Sequence, residues 1–555
     1  MSSIQHFKQT DITIANPIFS STRTIIETAF YGNNVTTVSS LSEAYQLAQN
    51  SQDVVVTDLP VRHAEELGLP TDTKVLVSND GEIVGRTAAA RRIIGHSDID
   101  QAYYDKILRE AVFQIGAKEC FKGSVFVGLD QEFSMQSHLM LPKKYAANLY
   151  TYLLNFQMAQ ESVSFYTNSE AIPEGDIYLL ADPDWKHPDF PNGLVVVDSR
   201  HNCTAVLGLR YFGELKKASL TLAWATAHRN GFIACHGGMK QYCTANRNYT
   251  MAAFGLSGSG KSTITLAKHQ NKYDIKVLHD DAFVISKAKG STTALEPSYF
   301  DKTQDYTSSS EELSYVVTAQ NVGITLNENG NKVLVTEDIR NGNGRSIKSR
   351  FATENRVDHL DEKIDGIFWI MKDDSLPPVM KVNDPCLAAV FGVTLATKRS
   401  TAENIVNAKA DQLVIEPFAN PFRSFPLAED YQDFLELFQK KQTDCYMLNT
   451  GIFEGNDVTP QHTLSSIEKI VENTAEFKTF GPLKALSYLP IDGHVPPFED
   501  ANYIQKLIER FETRLSFIQR RKTINDGYDR LPNETEKQLI ILLEELAAYK
   551  ETLSN

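Results

Sequence analysis

The chain has 555 residues, 42% hydrophobic and 23% charged, a mix that buries a large core and excludes global disorder, collagen-like repeats and a small disulfide scaffold. Fifty-five Lys and Arg against 70 Asp and Glu leave a formal charge of −15. Such a surface repels polyphosphate backbones and argues against a nucleic-acid partner, yet it permits a local basic pocket for a small anion. The six cysteines include no CxxC pair, so they read as reduced thiols. No stretch approaches the roughly 20 apolar residues of a membrane span, and the start has no apolar leader. The expectation is a cytoplasmic protein with no membrane partner.

In chain order, 53–58 (DVVVTD) and 74–77 are predicted strands, and 99–114 and 143–157 carry helical periodicity. Pro173, Pro183, Pro188 and Pro191 then crowd a loop-like stretch that ends near Gly193, read as a domain boundary. Beyond it, 194–198 (LVVVD), 251–255, 276–279, 333–337 and 366–371 read as strands, with helices at 213–229 and 261–269. Strands alternating with helices predict an α/β architecture around mixed sheets. After Pro497, 501–521 and 534–553 read as two amphipathic helices. The expected division is an α/β domain at 1–193, a phosphate-loop domain at 194–497 and a helical extension at 498–555.

The segment 249–263, YTMAAFGLSGSGKST, fits GxxxxGK[ST] at Gly255, Gly260, Lys261 and Ser262, after an apolar strand and before a helix-like run. Glycines let backbone N–H groups turn inward around phosphate oxygens where side chains would clash. Lys261 is placed to reach the β and γ phosphates, and the Ser262 hydroxyl to ligate Mg²⁺. The whole stretch Gly255, Leu256, Ser257, Gly258, Ser259, Gly260, Lys261, Ser262 and Thr263 is the expected nucleotide cradle. About twenty residues on, KVLHDDAF ends a β-type run in Asp280 and Asp281, paired carboxylates suited to a hard divalent cation.

Together these motifs resemble the ATP-dependent phosphoenolpyruvate carboxykinases, whose loop reads GLSGTGKTT. The family's YAGEMKKG is similar to YFGELKKA at 211–218, followed by ACHG with His236 nineteen residues after Lys217. GRSPKDK resembles GRTAAAR at 85–91, and FEGGCYAKT resembles LEPSYFDKT at 295–303. NTR is similar to NGR at 343–345, while LPPV recurs at 376–379 and NTG at 449–451. The resemblance runs in the family's order from about residue 80 to 455.

It implies conversion of oxaloacetate and ATP to phosphoenolpyruvate, CO₂ and ADP, with Mg²⁺ and Mn²⁺. By resemblance, Lys217, His236 and Asp281 hold a transition metal, and Asp280 organises the nucleotide's magnesium with Ser262. A metal-ligating lysine must be neutral, and the adjacent cation Lys216 is expected to help depress the Lys217 pKa. Lys261, Lys302 and Arg345 neutralise the transferring phosphoryl group, Arg86 holds a substrate carboxylate, and Tyr211 lies near departing CO₂. A mobile lid is expected at 373–382. The segment 452–462, where the family carries a basic stretch, has no Arg or Lys, so the donor stays open between ATP, another nucleotide and pyrophosphate. A kinase of the same fold acting on another acceptor, including a protein serine, and a non-catalytic nucleotide-binding subunit are the alternatives.

Overall fold

A computed structural model describes residues 7–16, 18–79, 91–256, 258–307, 310–336, 343–398 and 413–554. It is a mixed α/β structure whose described residues form two compact units. The first comprises the chain up to Asn230 together with Thr293–Asp358, and the second Gly231–Thr292 and the chain from His359 onward. Among the described residues no helix is long and apolar enough to cross a membrane, and all six cysteines are free thiols.

The first unit is built on a mixed sheet in the order Val35–Thr37, Cys120–Asp130, Phe133–Pro142, Ile177–Asp182, Cys203–Leu207, Leu194–Asp198, Arg91–Ile93. Leu194–Asp198 is buried at every position, as its unbroken apolar run requires. Ile26, Leu108, Ile115, Met140, Leu180 and Val196 belong to one core cluster on this sheet. The boundary expected near Gly193 falls inside it. Ile177–Asp182 pairs with Cys203–Leu207, which in turn pairs with Leu194–Asp198, so the proline-rich stretch is a connection within one sheet. A five-stranded sheet in the same unit runs Tyr299–Lys302, Arg345–Lys348, Val316–Gln320, Lys74–Ser78, Val54–Pro60.

The second unit centres on eight strands. The phosphate-loop strand Asn248–Phe254 pairs antiparallel with Gly238–Cys243 and parallel with Gly366–Met371. On the far side of Gly238–Cys243 lies Asp274–His279. Tyr249, Met251, Ile264, Val277, Phe368 and Ile467 share one core cluster. The helices Ala501–Arg520 and Asn533–Ser554 belong to this unit, and their stripes Ile504, Leu507, Phe511, Ile518 and Leu539, Leu542, Leu546 are buried.

The segment expected to be a mobile lid is interior instead. Leu376 and Val379 are buried. Val379–Val382 pairs on one edge with Asp444–Asn449 and on the other with Leu483–Tyr488. Tyr503 Oη donates to the Ser375 carbonyl at 2.9 Å. A strand bonded along both edges cannot swing without breaking two ladders.

Candidate active site

In the second unit, Asn248–Phe254 leads through the phosphate loop into the short helix Lys261–Leu266. Gly258 and Gly260 have φ of +81° and +96°, conformations that side-chain-bearing residues adopt only under strain. The expected helix to residue 269 stops at Leu266, because Ala267 turns extended and His269, Gln270 and Asn271 all take positive φ. The loop is braced from neighbouring strand ends. Thr450 Oγ1 donates to the Ser259 carbonyl at 2.7 Å, and Lys372 Nζ to the Gly258 carbonyl at 2.9 Å. Among the loop residues, Lys261 is 8% exposed, while Thr263 is exposed and lines the cavity beside the loop. Ser257 lies outside the described residues.

Ser262 Oγ donates to Asp280 Oδ2 at 2.8 Å, so the hydroxyl and carboxylate singled out for one ion do meet. Lys261 Nζ donates to Asp281 Oδ1 at 3.1 Å, and His236 Nε2 stands 3.0 Å from that same oxygen. Strand register explains the meeting. His236, the last residue of Phe232–His236, is the partner of Ala282, which directly follows Asp281. The turn carrying both aspartates is capped by His279, whose Nδ1 accepts from the N–H groups of Asp281 and Ala282 at 3.0 and 3.2 Å.

The proton on His236 is assigned by its other side. Its Nδ1 bonds the Ala419 carbonyl, and a carbonyl only accepts, so Nδ1 carries hydrogen. In neutral imidazole the Nε2 lone pair then faces the Asp281 carboxylate, two acceptors at hydrogen-bond distance. This arrangement is favourable when the ring is protonated or when a cation lies between them. A ring nitrogen held in the ligating tautomer by a backbone carbonyl is the usual support of a metal ligand, and these residues fit a divalent ion.

A cavity of about 160 Å³ opens beside the loop. Its wall includes the loop backbone, the apolar Ile264, Val458 and Leu464, the Thr450 hydroxyl, and one cation, Lys372. Sequence reasoning did not single out Lys372. Its only signal was a lysine before Asp373-Asp374 at the end of a strand parallel to the phosphate-loop strand.

The remaining expected residues among those described lie in the first unit. Tyr211 is the N-cap residue of the helix Phe212–Arg229. Its ring crosses Gly213 so closely that a Cβ there would stand 2.4 Å from Cε1, which is why YFGE needs glycine at that position. Lys217 is half-buried on the same helix. Lys216, the adjacent cation, has a partner inside the fold. It forms a buried ion pair with Glu296 at 2.9 Å, and Asn155 Nδ2 donates to the other Glu296 oxygen at 2.7 Å. Lys302 and Arg345, predicted from two short separate matches, are direct partners on adjacent antiparallel strands. The pairing brings two cations to one place on the sheet, where Arg345 Nη1 also donates to the Gly344 carbonyl at 2.9 Å. Arg86 lies outside the described residues. Arg91, the last residue of the same motif, pairs with Glu214 at 3.1 Å.

Comparison with known proteins covers most of this framework. A profile of the family described as phosphoenolpyruvate carboxykinase matches residues 47–480. The chain is 24% identical over 303 residues to the phosphoenolpyruvate carboxykinase (ATP) of Aeropyrum pernix, covering 52% of this chain and 60% of that protein. It is 23% identical over 238 residues to the phosphoenolpyruvate carboxykinase (ATP) of Alkaliphilus oremlandii, covering 39% of this chain and 42% of that protein. The matched segments thus span less than two thirds of either relative. With the profile covering well over half its length, the chain belongs to the ATP-dependent phosphoenolpyruvate carboxykinase family.

Proposed function

We propose that the protein is a phosphoenolpyruvate carboxykinase, converting oxaloacetate and a phosphoryl donor, ATP in the first instance, to phosphoenolpyruvate, CO₂ and ADP. The observation that carries this reading is His236, fixed in its ligating tautomer by Ala419 and set against Asp281 beside the phosphate-loop lysine. Family membership supports the same reaction.

The phosphate loop and Lys261 hold the nucleotide's phosphates, with Ser262 and Asp280 arranged for its magnesium. Lys217, His236 and Asp281 are the proposed ligands of a second divalent ion, Mn²⁺ or Mg²⁺. When bound, that ion supplies positive charge for the oxygen that becomes the enolate and for the γ-phosphoryl group. Phosphoryl transfer needs positioning and charge neutralisation more than covalent chemistry. Lys302 and Arg345, as a preformed cation pair, supply both. Arg86 holds a substrate carboxylate, and Tyr211 lies beside the departing carboxylate carbon.

The test is ³¹P NMR of the protein with oxaloacetate, Mg²⁺ and Mn²⁺, and in separate runs ATP, GTP or pyrophosphate. Growth of a phosphoenolpyruvate resonance with one donor confirms the reaction and names that donor. A donor signal unchanged in all three runs rejects it.

A further inference from the structure

A row of side chains crosses the five-stranded sheet of the first unit. Lys302 lies opposite Arg345, Arg345 opposite Gln320, and Gln320 opposite Ser78. Ladder partners project on one face of a sheet. Phe300, two residues before Lys302 and therefore on that face, packs its ring against Phe212 at 5.4 Å and Tyr211 at 6.1 Å. The row thus looks toward the N-terminal end of the helix that carries Tyr211 and Lys217. Lys302 and Phe300 are half-buried, so the row is not sealed.

Gln320 is 2% exposed. Its Oε1 accepts from the Phe212 backbone N–H at 3.3 Å. A backbone N–H can only donate, so this bond fixes which end of the amide is oxygen. The other end, Nε2, carries two hydrogens and meets no acceptor among the described residues. Folded proteins rarely leave a buried donor unspent. Of its two ladder neighbours, Arg345 is a cation and accepts nothing, and the Ser78 hydroxyl oxygen does not reach Nε2. An oxygen bearing negative charge is the acceptor that suits an amide N–H placed beside two cations.

We propose that Gln320 is a substrate-contacting residue whose Nε2–H donates to an oxygen of the small anion neutralised by Lys302 and Arg345. This deepens the carboxykinase reading and rests on it for the anion's identity. The oxygen belongs to a carboxylate or a phosphoryl group, chemically equivalent acceptors here. The donor adds direction to a site where two flexible cations alone would bind by charge.

The test is titration calorimetry of the full chain with oxalate, which offers only carboxylates, and with inorganic phosphate, with ADP as a control for the second unit. Q320M removes the donor without adding charge. Q320E keeps an acceptor for the Phe212 N–H and replaces only the donor, so it preserves the fold if Q320M does not. Q320M is expected to lower affinity for one of the two anions about tenfold and Q320E by more, with ADP affinity unchanged. The anion affected identifies the oxygen. Wild-type affinity for both anions in both variants overturns the proposal, as does a wild-type protein that binds neither. A merely structural glutamine would lower the melting temperature of Q320M and leave anion affinity intact in Q320E. Loss of anion binding in Q320M, in a protein that forms no phosphoenolpyruvate, would end the carboxykinase reading and leave the Gln320 assignment standing.

Discussion

Ser262 and Lys240 show how single side chains in the second unit are tuned. Ser262→Ala deletes the hydroxyl that bonds Asp280 and, in the proposed reaction, a magnesium ligand. Calorimetry should show about tenfold weaker nucleotide binding in Mg²⁺ and little change without it. Lys240 is fully buried. It donates to the Ala267 carbonyl at 3.2 Å, beyond the end of the phosphate-loop helix, and meets His269 Nε2 at 3.3 Å and the Tyr242 ring at 4.7 Å. Glu468 stands behind His269. Burial pushes the Lys240 ammonium down to about 7, whereas an unfolded lysine titrates near 10.4. Between those values the unfolded chain holds a proton that the folded one has released, so stability rises with pH, by up to about 1.4 kcal/mol per pH unit. Below about pH 7 both states hold the proton and the term is flat. Lys240→Met should abolish that rise and raise the urea midpoint at pH 6.5. A variant whose midpoint still climbs from pH 7 to 9 as in wild type would contradict the assignment.

Among the elements, the C-terminal helix Ala501–Arg520 is part of the second unit's frame. Arg514, 1% exposed, donates to Asp373 Oδ2 at 2.9 Å and also bonds the Thr394 carbonyl. Arg510 and Lys506 pair with Asp374 at 2.8 and 3.1 Å. These contacts pin the turn that follows Lys372 and the strand beside the phosphate loop. Without Arg514, the only ion pair left to Asp373 among the described residues is a long one to Arg510 Nε at 3.6 Å, so Arg514→Met should lower unfolding stability by about 3 kcal/mol. Arg510→Ala, at a partly exposed pair, should lower it by less than about 1 kcal/mol. Denaturant titrations decide this, and equal losses would mean that Arg514 carries no special weight.

The helix itself was legible in sequence as an apolar stripe, and Arg514 was the polar residue within it at 507, 511, 514, 518 spacing. The phosphate loop and the Asp pair were also legible, because they are local chemistry at fixed spacing. The five-stranded sheet was not, since Lys74–Ser78 pairs with Val316–Gln320 across about 240 residues and periodicity carries no information on partners. The lid at 373–382 was implied by the resemblance and not by LPPV itself. Its prolines signal a turn, while Leu376 and Val379 on either side are core residues.

At the scale of the whole molecule, the charge of −15 coexists with cations placed at the candidate sites: Lys261 paired with Asp281 in one unit, Lys302 opposite Arg345 in the other. The phosphate loop lies in the second unit alone, so ligand linkage should act there first. If the units unfold in separate steps, ADP with Mg²⁺ should raise the second unit's calorimetric transition and leave the first unit's nearly unmoved. An equal rise in both would show one cooperative block.

The most direct measurement is carboxylation by wild-type protein and His236→Ala. Phosphoenolpyruvate, bicarbonate, Mn²⁺ and ADP are supplied, and oxaloacetate is read through malate dehydrogenase. Wild type should turn over, and His236→Ala should fall at least about 100-fold while binding ADP within about threefold of wild type. A wild-type protein silent with ADP, GDP and phosphate, or a His236→Ala variant as fast as wild type, would contradict the carboxykinase assignment or the place of its metal.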